Sequence, residues 1–63
     1  MDEEKIKIIE LLKKNGEMSQ TEISSNLTKN YYKIREMLEE LEAEGKITHS
    51  KLGVYTFWRI KNG

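Results

Sequence analysis

The apolar stripe Ile34, Met37, Leu38 and Leu41 advances in steps of three and four residues, stops at Gly45, and gives way from Lys46 to alternation at every second residue. The first spacing belongs to a helix with one buried face, the second to a strand, and no single regular element satisfies both. The chain must therefore leave a helix at Gly45, where a left-handed glycine can close it, and enter extended structure. Ile47 and His49 alternate with Lys46, Thr48 and Ser50. A turn over Lys51, Leu52 and Gly53 then leads into Val54, Tyr55, Thr56, Phe57, Trp58, Arg59 and Ile60, whose aromatic and β-branched residues suit a strand. Residues 46–60 are predicted to form a β-hairpin. Trp58 shares strand parity with Ile60, so both are expected to pack, while Tyr55 or Phe57 is expected to be partly exposed.

Two further helices precede the stripe. Ile6, Ile8, Ile9, Leu11 and Leu12 recur at helical spacing, with acids at the start of the segment and Lys13 and Lys14 at its end, both suited to the helix dipole. Asn15 and Gly16 supply the stop, which predicts a first helix over residues 3–14. Ser19 and Glu22 have capping-box spacing, so a second helix over residues 19–27 buries Ile23 and Leu27 and keeps Gln20, Thr21, Ser24 and Ser25 on its polar side. Met18, just ahead of the cap, is expected in the core. Asn30 is a suitable N-cap for a third helix over residues 31–44. Helices joined by such short turns pack as a right-angled cluster.

Chain length limits what this arrangement can do. A domain of 63 residues buries only about 60% of the surface its unfolded chain exposes and leaves little room for a catalytic cleft. There is no cysteine to form a disulfide or a thiolate metal site. His49 has no second histidine and no obvious carboxylate partner in sequence, whereas a zinc site needs roughly three or four ligands. The serines fall in cap or surface-helix contexts, without a glycine-rich phosphate loop or a nucleophile elbow, so the chain reads as no enzyme and calls for no cofactor. No apolar run approaches the about 20 residues of a membrane span, and the acidic start is unlike a signal peptide, so a cytoplasmic location is expected. That location becomes nucleoid-associated for a cellular protein and the host cytoplasm for a viral one.

Eleven basic and 11 acidic residues cancel, but they are segregated. Lys29, Lys33 and Arg35 stand together without an intervening acid. Lys46, Lys51, Arg59 and Lys61 form an acid-free tail. Glu36, Glu39, Glu40, Glu42 and Glu44 lie between these stretches, giving basic ends and an acidic middle. The acidic face is a solvated surface or a docking face for a basic partner, and must point away from any polyanion.

Leu27, a three-residue turn capped by Asn30, then Ile34, Leu38 and the closure Leu41, Glu42, Gly45, Lys46, Ile47 resemble the turn and recognition helix of winged helix-turn-helix domains. Trp58, Arg59 and Ile60 resemble the aromatic, basic and aliphatic end of that family's last wing strand. The resemblance covers nearly the whole chain and is to the small archaeal, bacterial or viral transcriptional regulator type. It implies an α+β fold, a three-helix helix-turn-helix core followed by a two-stranded β-hairpin wing, in one domain over residues 1–63. It also implies binding of double-stranded DNA, with the third helix in the major groove and the wing on the backbone or in the minor groove.

The candidate DNA-binding residues are Thr28, Lys29, Asn30, Tyr31, Tyr32, Lys33, Arg35, Lys51 and Arg59. Lys33 and Arg35 can meet guanine acceptors or phosphates, and the tyrosines offer a hydroxyl to phosphate and a ring to a thymine methyl. Thr28 and Asn30, with the free amides of the helix start, can clasp a phosphate. Lys51, expected at the hairpin tip, and Arg59 can track a backbone. A second copy of the chain is the other expected partner; no membrane or small-molecule substrate is implied. A protein-interaction module of a transcription or replication assembly is the rival reading. Another is a left-handed-DNA-binding winged helix, suggested by Trp58, Arg59 and Ile60. Its asparagine and tyrosine positions fall here on Arg35 and Glu39, and the prolines of its wing are absent.

Overall fold

A computed structural model of the chain describes residues 3–27 and 30–61. The elements are α1 (Glu3–Asn15), β1 (Met18–Ser19), α2 (Gln20–Leu27), α3 (Tyr31–Ala43), β2 (Ile47–Leu52) and β3 (Tyr55–Ile60). Three helices and a small antiparallel sheet make an α+β winged helix.

Each helix end has a local cause. The amide of Gly16, at φ 83°, donates to the Leu12 carbonyl and closes α1. Ser19 and Glu22 form the expected box: the Ser19 amide donates to the Glu22 carboxylate at 2.9 Å, and the Glu22 amide donates to Ser19 Oγ at 3.2 Å. At the end of α3 the Gly45 amide donates to the Glu42 carbonyl and the Lys46 amide to the Leu41 carbonyl, with Gly45 at φ 80°. This is a Schellman closure, and it sets the direction in which the chain enters β2.

The sheet has three strands, in the order β1-β3-β2, where a two-stranded hairpin was expected. Met18 pairs with Trp58 and Ser19 with Phe57, so the short β1 ties the wing to the helical core. The hairpin turn also shifts: it lies at Gly53 and Val54, with Gly53 at φ 63°, because β2 runs on through Leu52 and pairs Leu52 with Tyr55. Lys51 is therefore a strand residue opposite Thr56 and not a tip residue.

Ile8, Leu12, Met18, Ile23, Ile34, Met37, Leu38, Leu41, Ile47 and Trp58 are buried in one cluster. Leu27 and Ile60 pack against its edge only, as do Ile9 and Leu11, and Ile6 is exposed. Gln20, expected on the polar side of α2, is instead buried at the first position of the helix, directly after β1, which ties that end of α2 to the sheet. Lys5 joins α1 to α3, with Nζ 2.9 Å from Glu40 and 3.2 Å from Glu44.

Candidate nucleic-acid interface

Asn30 caps α3 by accepting from the amides of Tyr32 at 2.9 Å and Lys33 at 3.4 Å. The core face of α3 is then taken by Ile34, Met37, Leu38 and Leu41, which leaves the residues between them outside. Tyr31, Tyr32, Lys33 and Arg35 are all exposed on the first turns, Tyr32 with 72% of its surface free. The two tyrosine rings meet edge to face, 5.7 Å between centroids. Arg35 lies 3.6 Å from Glu39, one turn on. Thr28 and Lys29 lie outside the described residues.

Charge on α3 is polarised along its axis. Its acidic end is answered locally: Lys5 holds Glu40 and Glu44, and Glu42 accepts from His49 Nδ1 at 2.6 Å. His49 thus has a carboxylate partner that its sequence neighbourhood does not show, supplied from the preceding helix by the Gly45 closure. It is a hydrogen-bonded strand residue tilted against Trp58, ring centroids 5.0 Å apart. No group of three or more acidic, histidine or cysteine side chains fit to hold a metal ion exists among the described residues.

On the wing, alternation separates the two basic candidates. His49, Lys51, Thr56 and Trp58 share one face, since His49 pairs with Trp58 and Lys51 with Thr56. That face looks onto α3, with His49 against Glu42 near its end and Lys51 towards Tyr31 and Arg35 at its start. Arg59 lies on the other face, where its guanidinium meets Ser50 Oγ at 3.3 Å and the Glu17 carboxylate at 3.6 Å. The structure therefore brings Lys51 together with Tyr31 and Arg35 and places Arg59 elsewhere. Between α3 and the wing lies a cleft of about 270 Å³, with Tyr31 and Arg35 on one wall, Lys51 and Thr56 on the other, and Gln20 and Trp58 at its inner end. The wing tip is apolar: Leu52, Val54 and Tyr55 are exposed, Val54 by 91%.

A family model described as FaeA-like protein matches residues 3–62. The chain belongs to this family. Solved structures agree with the winged-helix fold of the FaeA-like chain. A crystal structure of a possible transcriptional regulatory protein from Mycobacterium bovis (fragment 1–100) superposes with a TM-score of 0.91 at 21% identity, over 97% of this chain and 64% of that one. The solution structure of Mb0332 from the same organism gives the same TM-score and identity over 56% of that chain. It is described as a homodimeric winged helix-turn-helix DNA-binding domain, a possible ArsR-family transcriptional regulator. The antimony-specific transcriptional repressor AntR superposes with a TM-score of 0.82 at 14% identity, over 90% of this chain and 51% of that one. The FaeA-like chain thus spans less than two thirds of these chains. No curated protein sequence matches it significantly.

Gln20, Thr56 and Val54 are the cleft residues that sequence reasoning did not single out. Thr56 and Val54 depend on the cross-strand register, for which only the Gly53 turn carries a readable signal, and Gln20 depends on how the wing packs against the start of α2.

Proposed function

We propose that the chain binds double-stranded DNA as a sequence-specific transcriptional regulator, with the first turns of α3 in the major groove and the wing against the backbone or minor groove. The observation that carries this reading is the polarity of α3. Its exposed aromatic and basic residues lie at the start, beside Lys51 of the wing, while Lys5 and His49 occupy the carboxylates at its far end. Lys33 and Arg35 meet base edges or phosphates, the tyrosine hydroxyls and the free amides at the start of α3 meet phosphates, and Arg59 serves the backbone from the outer face of the wing. One structural neighbour is described as a winged helix-turn-helix DNA-binding domain and another as a transcriptional repressor, which supports the same reading. No helix among the described residues is long and apolar enough to cross a membrane.

Two copies act on an inverted repeat, because one module of zero net charge makes few phosphate contacts and a short readout. Exposed Ile6 on α1 and half-buried Ile60 at the end of β3 are the surfaces for that pairing. The homodimeric neighbour favours it. Light scattering with footprinting tests the pairing; a monomer protecting one unrepeated half-site opposes it. Selection of bound duplexes from a random pool tests the function, and a pool that converges on no shared sequence rejects specific readout. The apolar wing tip favours protein docking as the second reading, recognised by retention of a partner at high salt without duplex binding.

A further inference from the structure

We propose that the cleft between the start of α3 and the wing is an oxyanion site that accepts a phosphate group, from a duplex backbone or from a small phosphorylated molecule. In its duplex form this rests on the function proposed above.

The inner end of the cleft carries two orphan donors. Gln20 is 5% and Trp58 3% exposed, and Gln20 Nε2 and Trp58 Nε1 have no hydrogen-bond partner. Buried polar atoms are nearly always paired, and here both residues that carry an orphan donor line one cleft. An indole nitrogen donates only, so its missing partner must be an acceptor. A cation or a purely apolar guest would leave it unpaired.

The walls specify the charge of that acceptor. Arg35 and Lys51 stand on opposite sides, with the hydroxyls of Tyr31 and Thr56 beside them, and no acidic side chain lines the space. Glu42 bonds His49 from outside it. A cleft of about 270 Å³ holds several times the about 30 Å³ that one water occupies, sufficient for a tetrahedral oxyanion. Phosphate combines acceptor-only oxygens with the negative charge that an arginine and a lysine bind best.

Trp58 is the sole tryptophan, so the chain gives one indole N–H resonance in a proton–nitrogen spectrum. The chain is titrated with inorganic phosphate, with ionic strength held constant by sodium chloride, and separately with a short duplex. The expected result is a saturable shift of the indole resonance with phosphate, weakened about tenfold in Lys51→Gln, the loss of one charge-assisted contact. Gln20→Met, which keeps the volume and removes the donor, weakens it too, and amide dispersion shows that both variants remain folded. A shift with duplex alone assigns the site to backbone phosphate. A shift with phosphate but no duplex binding assigns it to a small molecule and fails the DNA reading. Duplex binding seen at α3 with the indole unmoved overturns the site and leaves DNA binding intact. No shift with either probe, or unchanged affinity in both variants, overturns it as well.

Discussion

Met18 and Trp58 face each other across the antiparallel pairing of β1 and β3, and both are buried in the same core cluster. Through this pair the wing strand is fixed to the segment that caps α2, so the angle between wing and helices belongs to the core. Asn15 Nδ2 adds a contact to Met18 Sδ at 3.6 Å, carrying the tie on to α1.

Truncating either side of the pair is therefore expected to unfold wing and core together. Met18→Ala should cost about 2 to 5 kcal/mol and Trp58→Ala about 3 to 5 kcal/mol in urea unfolding, each a large part of the stability of a domain this small. The double variant should deviate from additivity by at least about 0.5 kcal/mol, as contacting residues do. Strict additivity would show that the strand pairing does not couple them.

Asn30 makes a second prediction, because its side chain is the acceptor for two amides that α3 cannot satisfy. Asn30→Ala should cost about 0.5 to 2 kcal/mol, and Asn30→Asp should restore most of it by accepting the same bonds. Thermal unfolding followed by circular dichroism measures both. Equal loss in the two variants would mean that the cap bond is not what matters.

Lys5 gives a pH-dependent expectation. Its hydrogen bonds to Glu40 and Glu44 raise its pKa above the ordinary 10.5, so the folded chain holds this proton more tightly than the unfolded one. The stabilisation is fully present below pH 10.5 and is lost as pH rises through the higher folded value. The difference in stability between the wild type and Lys5→Met should be flat through neutral pH and shrink in the alkaline range. A difference that stays constant through that range would assign it to packing of the lysine stem.

The opposite faces of Lys51 and Arg59 predict unequal roles on DNA. Lys51→Ala should weaken binding to preferred and random duplexes alike and reduce the salt slope by about one. Arg59→Ala, removing a side chain engaged by Ser50 and Glu17, should change affinity less. Gel-shift titrations over a salt series separate the two, and a larger effect at Arg59 would turn the wing around.

The fold is readable where local chemistry decides it: Asn30, the Ser19 and Glu22 box, Gly16 and Gly45 each end or begin an element without help from distant residues. β1 escapes because two residues cannot display a period, and its pairing with Trp58 is set by packing. The turn at Gly53 and Val54 is displaced from Lys51 because Leu52 pairs with Tyr55 and the left-handed Gly53 opens a two-residue turn beyond that pair. For the candidate site, the exposed positions of α3 follow from the spacing of Ile34, Leu38 and Leu41. The contact of His49 with Glu42 and the cleft between Gln20, Arg35 and Lys51 depend on how the wing folds back, which no local pattern encodes.

Contact between the start of α3 and duplex DNA is tested by duplex affinity as a function of salt, measured for the wild type and for Lys33→Ala and Arg35→Ala. The logarithm of affinity should fall linearly with the logarithm of salt, by about 0.9 per phosphate neutralised. A base-reading Lys33 or Arg35, once removed, should cost about 1 to 3 kcal/mol on the selected site and much less on random DNA. Absence of duplex binding at low salt, or binding that ignores salt and both substitutions, would show that α3 does not meet DNA.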